Sequence, residues 1–434
     1  MQKMYKLFLC SCLLLCLCLS GFSLTAQNTY IHCGNLIDVE SGKINEKMTI
    51  VVEGDIIQSV EKGFSKVPDT ATLIDLSEMT VMPGLFDMHV HLESETSKDN
   101  YMDDFIKNEA DIAFESTVYA KKTLLAGFTT VRDLGGSGVN TSLRDAIRKG
   151  YVEGPRIFSA GKSIATTGGH ADPTNGYKAD LMGDPGADEG VINGVEEARK
   201  AVRQRYKNGA DVIKITATGG VLSVAKSGQN PQFFEDEIRA IVETANDYGM
   251  LTAAHAHGDE GMQRAVRAGI KTIEHGTLMS DETMELMKQY DTYYVPTITA
   301  GKTVAELAEI PNYYPELVVP KAKEIGPKIQ STFARAYKKG VKIAFGTDAG
   351  VYKHGENGRE FAYMVEVGMP PMEAIQSATI TPARLLKVDD QLGSIKGGKI
   401  ADIIAVHDNP IENIKTMEDV KFVMKEGKVY KNNL

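Results

Sequence analysis

Two histidines separated by a single residue are the first sign of chemistry in this sequence of 434 residues. His89 and His91 lie at the end of an apolar segment. In a β-strand, residues spaced by two lie on the same face, so both imidazoles could bind one ion. Neutral imidazole is a common zinc ligand. Taken alone, the pair fits two buried, hydrogen-bonded histidines better than a metal site.

Further polar side chains lie in or directly after other apolar segments. If these segments are parallel strands of one barrel, the side chains all face its C-terminal rim, where active sites are built. Together they would offer six metal ligands, which suits two ions and exceeds the four that one tetrahedral zinc needs. The six are His89, His91, Lys214, His255, His275 and Asp348, and His170 and His257 lie at the same rim.

Lys214 and Asp348 each have two interpretations. Burying an ammonium without a partner costs several kcal/mol, so Lys214 could extend to solvent or pair with a carboxylate. Burial could instead lower the pKa of its amine, which would then take up carbon dioxide as a carbamate able to bridge two metal ions. Asp348 could cap a turn, or it could accept a proton from a water beside a metal ion.

The middle of the chain alternates apolar strands with amphipathic helices. Helices predicted at 111–126, 195–208, 236–248 and 259–268 each precede a glycine, which commonly caps a helix. Eight strand–helix units over about 250 residues or more favour a (β/α)8 TIM barrel. A doubly wound open sheet would need a glycine-rich loop after its first strand, and the sequence at 87–91 has none. The predicted strands cover residues 81–89, 128–132, 156–160, 211–216, 251–255, 271–275, 293–297 and 341–345.

The two chain ends share another pattern, of short strands and turns. Residues 27–82 contain a hairpin signal at 53–55, and residues 389–434 contain short apolar strands between glycine-rich turns. Because chain ends usually lie close together, we expect both ends to form one small β-sandwich domain. The predicted fold class is therefore α/β, with a TIM barrel over residues 83–388 and a β-sandwich domain built from both ends.

Residues 1–26 are typical of a secretory signal peptide. Lys3 and Lys6 precede an apolar run, and small residues suited to cleavage precede Gln27. The run is shorter than the roughly 20 apolar residues that a bilayer span needs. We therefore expect export, with a periplasmic location. A lipoprotein anchor at Cys16 or Cys18 is the weaker alternative, because a bulky leucine precedes each.

The composition excludes several classes of protein. Hydrophobic residues make up 42% of the chain and charged residues 24%, which is typical of globular proteins. The net charge of −10 without a basic patch argues against nucleic-acid binding. After signal cleavage only Cys33 would remain, which excludes an internal disulfide. No membrane span is expected. The sequence does not determine the oligomeric state, and a homo-oligomer is compatible with it.

As a set, these motifs resemble the amidohydrolase superfamily of metal-dependent hydrolases. The segment PGLFDMHVH at 83–91 is similar to its strand-one signature. Lys214, His255 and His275 follow in the expected order, and the GTD segment at 346–348 completes the set. Within the superfamily, the chain most resembles the imidazolonepropionase-related branch, which includes prolidase-like and carboxypeptidase-like enzymes. The resemblance covers nearly the whole mature chain.

The resemblance implies two divalent metal ions, expected to be zinc. His89 and His91 would bind one ion, and His255 and His275 would bind the other. Lys214, carboxylated to N6-carboxylysine, would bridge them. True imidazolonepropionases bind one ion and lack the strand-four lysine, so Lys214 argues against that activity.

The resemblance also implies catalytic roles. Asp348 would bind metal and transfer the proton of the attacking water, and His170 would polarise the scissile carbonyl. His257 stands where prolidase-like members carry tyrosine. This difference argues against a preference for proline and makes His257 a candidate substrate-binding residue.

The expected activity is hydrolysis of an amide by a dipeptidase or carboxypeptidase acting on short peptides, either Xaa-Pro or peptides with a related C-terminal residue. A hydrolase of a cyclic amide, a lactone or an N-acyl amino acid would use the same metal centre and is the second interpretation. A non-catalytic metal-binding or scaffold protein is the third.

Overall fold

The computed structural model describes residues 28–433. The signal peptide predicted for residues 1–26 lies outside the described residues. Among the residues described, no helix combines the length and the apolar character needed to cross a membrane.

Strands from both chain ends form one seven-stranded sheet in the order β16-β15-β14-β4-β1-β2-β3. The strand β1 pairs in parallel with β4 and antiparallel with β2, and β14 pairs antiparallel with β4. The two chain ends therefore share one sheet. The strands are β1 (Thr29–Asp38), β2 (Lys43–Glu53), β3 (Ile56–Lys62), β4 (Thr72–Pro83), β14 (Ile403–Val406), β15 (Phe422–Lys425) and β16 (Lys428–Asn432).

This end sheet curls over its own hydrophobic core. The backbone N–H of Ile57 in β3 donates to the carbonyl of Lys399 at 2.8 Å, and that of Gly398 donates to the carbonyl of Ile57 at 2.7 Å. These bonds join β3 to the segment that leads into β14. Alternate side chains such as Ile31 and Cys33 then point into the core, and burial raises the pKa of the Cys33 thiol to about 12.

Parallel strands and helices make up the middle of the chain. One sheet has the order β5-β6-β7, a second has the order β10-β11-β12-β13, and β8 pairs with β9. The strands are β5 (Leu85–Val90), β6 (Phe128–Asp133), β7 (Arg156–Ser159), β8 (Ala165–Thr166), β9 (Val191–Ile192), β10 (Val212–Thr216), β11 (Leu251–Ala256), β12 (Thr272–His275) and β13 (Tyr293–Val295).

Helices follow most of these strands, and their apolar faces pack into the largest core cluster. The helices are α1 (Asn100–Ile106), α2 (Glu109–Leu125), α3 (Val139–Arg148), α4 (Ala179–Met182), α5 (Val195–Lys207), α6 (Glu235–Asp247), α7 (Asp259–Arg267), α8 (Asp281–Gln289), α9 (Ile298–Leu307), α10 (Val319–Ile325), α11 (Ile329–Lys338), α12 (Arg359–Glu366), α13 (Pro371–Ser377) and α14 (Ile380–Leu385). Short 3-10 turns cover Gly326–Lys328 and Ile414–Glu418.

Backbone hydrogen bonds connect the two parallel sheets on both sides. On one side, Asp211, directly before β10, donates to the carbonyl of Ser159 in β7 at 2.7 Å, and Ile164 donates to the carbonyl of Lys214 in β10 at 2.8 Å. On the other side, the segment 342–349 lies between β13 and β5. Ala344 donates to the carbonyl of Tyr294 at 3.0 Å, and Met88 donates to the carbonyl of Phe345 at 2.9 Å.

Two of the predicted strands differ from the structure. The strand predicted at 81–89 is divided at Gly84, so that its first part belongs to the end sheet and its second part is β5. A Cβ at Gly84 would lie 2.2 Å from the hydroxyl of Thr129, which explains why glycine stands at this crossing. The strand predicted at 341–345 is wrong as a regular strand, because only an isolated bridge between Tyr294 and Ile343 is formed there.

Candidate metal centre

Three ligand atoms meet where β5 ends. His89 Nε2 and His91 Nε2 are 3.3 Å apart. The Oδ1 atom of Asp348 lies 3.4 Å from His89 Nε2 and 3.3 Å from His91 Nε2. The three atoms therefore form a nearly equilateral triangle. His89 is almost fully buried, and Asp348 is 7% exposed.

This triangle fits a metal ion. Ligands placed about 2.0–2.1 Å from a tetrahedral zinc ion are separated from one another by about 3.3–3.4 Å. The observed separations agree with that range. Asp348 Oδ1 is also buried without a hydrogen-bond donor in the described part of the chain. Unpaired buried oxygens are rare in folded proteins, so the donor set suits a divalent cation.

Hydrogen bonds behind the imidazoles aim them at the centre. His91 Nδ1 lies 2.8 Å from the carbonyl of Gly135, which can only accept, so Nδ1 carries the hydrogen and Nε2 keeps its lone pair. His89 Nδ1 lies 3.0 Å from the carboxylate of Glu274. The same reasoning leaves His89 Nε2 free for a metal ion. Outer hydrogen bonds of this kind are usual for metal-binding histidines.

Four more histidines extend this group across the ends of β11 and β12. The ring of His275 lies 5.0 Å from that of His89 and 4.6 Å from that of His255. The ring of His255 lies 4.3 Å from that of His170 and 4.7 Å from that of His257. The structure therefore brings together all the histidines that the sequence analysis placed at the rim.

Burial keeps most of these imidazoles neutral. It lowers the pKa of His89, His255 and His275 well below the ordinary value, and the nearby amine of Lys214 lowers it further. It lowers the pKa of His170 and of His257 to about 3. Neutral imidazoles carry the lone pairs that a metal ion needs.

Lys214 lies inside β10 and faces the same cavity. It is 4% exposed, and burial lowers the pKa of its amine to about 8. Within residues 28–433 its amine makes no hydrogen bond or ion pair. In the described residues Lys214 therefore has neither solvent contact nor a carboxylate ion pair, and its side chain faces the cavity.

Asp348 is held in an unusual backbone conformation. Its φ angle is 62°, a region that few residues other than glycine adopt. Its N–H donates to the carbonyl of His89 at 2.7 Å, which ties the residue to β5. Burial alone would raise the pKa of the carboxyl group, but His89, His91 and Lys214 lower it below the ordinary value. Asp348 is therefore ionised at neutral pH.

His170 is positioned by its backbone and by close packing. Its N–H donates to Gln232 Oε1 at 2.8 Å. A Cβ at Gly220 would lie 2.2 Å from the His170 ring, so only glycine allows this approach. His170 Nδ1 is buried and has no hydrogen-bond partner in the described residues. A polar atom of a substrate is a suitable partner for it.

The sequence analysis missed two charged residues beneath the centre. Arg132 in β6 and Glu274 in β12 are both fully buried, and Arg132 Nη2 donates to Glu274 Oε1 at 2.8 Å. Arg132 also donates to the carbonyl of Met88 at 2.7 Å. A charged residue inside a predicted buried strand was the available signal, because buried charges are almost always paired.

The class of protein follows from this fold and site. The amidohydrolase family profile matches residues 80–430, and the chain belongs to that family. It is a metal-dependent hydrolase acting on carbon–nitrogen bonds.

Three relatives show how far the similarity extends. Ochratoxinase from Aspergillus niger is 32% identical over 437 residues, which cover 94% of this chain and 87% of the relative. A Xaa-Pro dipeptidase, crystallised with methionine bound in its active site, is 56% identical in sequence, and its structure superposes with a TM-score of 0.91. The matched region covers 94% of this chain and 100% of the dipeptidase chain. A prolidase crystallised with N-methylphosphonate-L-proline is 33% identical, with a TM-score of 0.85 and the same coverage.

Proposed function

We propose that this chain is a binuclear metal-dependent peptidase that hydrolyses the amide bond of short peptides, as a dipeptidase or carboxypeptidase. The triangle of ligand atoms from His89, His91 and Asp348 is the observation that carries the proposal. The 56% identity to a Xaa-Pro dipeptidase over 94% of the chain supports a peptide substrate. Xaa-Pro peptides are therefore the first substrates to examine.

We also infer that the two parallel sheets are parts of one (β/α)8 barrel. The hydrogen bonds through Ile164 and through the segment 342–349 support this arrangement, because they connect the sheets on both sides. The metal-dependent hydrolase barrel would then cover residues 83–388. The end sheet, from residues 27–82 and 389–434, would be the β-sandwich domain.

Two ions would be held by different sides of the histidine group. His89, His91 and Asp348 would hold one ion, and His255 and His275 would hold the other. Lys214, as N6-carboxylysine, would bridge them. Imidazole and carboxylate ligands suit zinc. Bound ions of this kind act as Lewis acids and lower the pKa of water towards neutrality.

The side chains then have separate tasks in hydrolysis. Asp348, ionised and buried beside the centre, would accept the proton of the attacking water through a carboxylate oxygen and pass it to the leaving nitrogen. His170, which burial keeps neutral, would donate an N–H to the carbonyl oxygen as negative charge develops there. His257 lines the same cavity, and its Nδ1 lies 2.9 Å from Thr277 Oγ1, so its other nitrogen can contact substrate.

The similarity to ochratoxinase favours a second candidate, a hydrolase of a non-peptide substrate such as an N-acyl amino acid, a cyclic amide or a lactone. The same side chains would serve that reaction. Export to the periplasm and assembly into a homo-oligomer remain predictions of the sequence.

A substrate panel tests the proposal. Zinc-loaded full-length protein is assayed with dipeptides that include an Xaa-Pro series, and with N-acyl amino acids and lactones. We expect turnover of dipeptides, and a loss of at least a hundredfold in His170→Asn but not in His407→Asn, because His407 is exposed and absent from the cavity. Turnover of N-acyl amino acids or lactones with all dipeptides inert would contradict a peptidase.

A further inference from the structure

The cavity in front of the histidine group has two unlike sides. Its volume is about 190 Å³. Lys214, Asp348 and the histidines form one side. The other side comes mostly from the helical segments that follow β13. Its side chains are mainly aliphatic, and they include Val304, Ile325 and Ile329.

Close backbone packing fixes the position of this aliphatic wall. A Cβ at Gly326 would lie 2.5 Å from the carbonyl oxygen of Gly301, so the two segments touch through their backbones. Val304 and Ile325 are 5% and 2% exposed and belong to one packed hydrophobic cluster. Because packed interiors resist deformation, the wall presents a fixed shape to whatever enters the cavity.

The cavity offers few charged partners to a substrate side chain. Apart from Lys214 and Asp348, the described residues that line it include no lysine, arginine, aspartate or glutamate. Both of these charged residues belong to the proposed metal centre. A charged side chain placed against the aliphatic wall would lose its water without gaining an ion pair, which is unfavourable.

We infer that the wall formed by Val304, Ile325 and Ile329 is a subsite for an uncharged, apolar side chain on one of the two residues joined by the scissile amide. The inference rests on the proposed peptidase function and adds a substrate class to it. Aliphatic and thioether side chains bury their surface against the wall. Aspartate, glutamate, lysine and arginine side chains are rejected at this position.

A matched pair of variants tests the inference. Val304 and Val318 lie in the same hydrophobic cluster, but only Val304 lines the cavity. Two dipeptide series, Xaa-Pro and Gly-Xaa, are assayed with zinc-loaded full-length protein. In at least one of the two series, we expect kcat/KM for dipeptides with leucine or methionine as Xaa to be at least tenfold higher than for those with aspartate or lysine. We expect Val304→Ala to raise the ratio of phenylalanine to alanine substrates about tenfold, the scale of a methylene-sized change in a pocket.

Val318→Ala serves as the control, because it leaves a hole in the same cluster without enlarging the cavity. It should lower the melting temperature and leave the substrate ratio unchanged. Equal kcat/KM for charged and aliphatic side chains in both series would overturn the inference. An equal change of the ratio in both variants would overturn it as well.

Calorimetry separates a failure of the subsite from a failure of the peptidase function. If no dipeptide is hydrolysed, the peptidase function is contradicted. The affinities of the zinc-loaded protein for free leucine, aspartate and lysine then test whether the apolar subsite exists. We expect leucine to bind at least tenfold more tightly than the other two, and Val304→Ala but not Val318→Ala to change its affinity. Equal affinities would overturn the subsite without reference to turnover.

Discussion

Single hydrogen bonds decide which imidazole nitrogen faces the metal centre. His255 Nε2 lies 3.2 Å from the carbonyl of Gly219, and His91 Nδ1 lies 2.8 Å from the carbonyl of Gly135. A carbonyl only accepts, so the hydrogen is on the bonded nitrogen in each case. His255 therefore presents Nδ1 to the centre, whereas His91 presents Nε2. The two histidines bring different nitrogens because different backbone segments lie behind them.

Replacing Glu274 with glutamine tests the support behind His89. The amide would keep the size of the side chain but would leave the buried guanidinium of Arg132 without its charged partner. Breaking a buried pair costs about 3–5 kcal/mol. Losing an outer hydrogen bond lowers metal affinity about 10–100-fold. We expect both effects in Glu274→Gln, measured by denaturant unfolding and by zinc titration.

Glu285→Gln is the control, because Glu285 is exposed and pairs with Lys288 at the surface. It should change the free energy of unfolding by less than about 1 kcal/mol. Wild-type zinc affinity in Glu274→Gln would show that the carboxylate does not support His89.

Asp348→Asn tests proton transfer. The amide has nearly the same shape, so we expect the fold to persist, as judged by circular dichroism. It cannot accept the proton, so kcat should fall by about two to four decades, the usual scale for an acid–base group. Near-normal kcat in this variant would exclude the role. The residue was predicted from its place after an apolar segment, in the GTD segment at 346–348, but its left-handed backbone was not, because that conformation depends on the contact with His89.

At the level of elements, a lysine holds the loop beside His170 and His255. Lys321 in α10 is buried, and its Nζ donates to the carbonyls of Gly220, Ser223 and Ala225 at 3.0, 2.7 and 2.9 Å. The ammonium group thus gathers three carbonyls of one loop. The neighbouring carbonyl in that loop, at Gly219, orients His255.

Lys321→Met should loosen this loop. Leaving buried carbonyls unpaired costs about 1–3 kcal/mol. We expect that loss in the free energy of unfolding, together with a lower kcat and a weaker affinity for the second ion, which we propose that His255 binds. Lys323→Met is the matched control on the same helix, because Lys323 is exposed and pairs with Glu309. Equal effects of the two substitutions would refute the positioning role.

The helices were predictable from local signals, and the irregular segments were not. Helices expected at 111–126 and 195–208 occur at Glu109–Leu125 and Val195–Lys207. The glycines that end them, Gly127 and Gly209, have φ angles of 95° and 85°, which glycine adopts without strain. The segment 341–349 has a strand-like composition but follows contacts with β5 and β13, which are far away in sequence. Only tertiary structure supplies that information.

For the whole molecule, stability and chemistry lie at opposite ends of the parallel strands. The histidines lie at the carboxyl ends of β5, β11 and β12. The end sheet is attached at the amino ends, where Gly84 donates to the carbonyl of Asp402 at 2.9 Å. Arg156, at the start of β7, pairs with Asp402 at 2.9 Å and with Glu426 at 2.6 Å. This separation agrees with the proposed barrel, since barrels usually have a catalytic face and a stabilising face at opposite ends.

Arg156→Gln tests that separation. Asp402 is buried, so removing its partner should lower the free energy of unfolding by about 1–3 kcal/mol. We expect kcat and KM to stay within about twofold of the wild type, since the metal centre lies at the other end of the strands. A large loss of kcat with an unchanged free energy of unfolding would contradict this division of roles.

The charged pair of Arg132 and Glu274 shows where sequence reasoning ends at this scale. Candidate ligands were predictable because histidine is uncommon and ends several apolar segments. Each charge was a signal by itself, but the pairing of Arg132 with Glu274 was not predictable, because the two residues are 142 positions apart. Their pairing depends on the tertiary fold, which brings the side chains of β6 and β12 together.

The central claim is that side chains distant in sequence jointly hold two divalent ions. Zinc content per chain, measured by plasma mass spectrometry on full-length protein dialysed against a zinc buffer, tests it most directly. We expect about two equivalents in the wild type and a loss of at least one in the double variant His89→Asn and His91→Asn. A wild-type protein without bound zinc, or a double variant that keeps both equivalents, would contradict the claim.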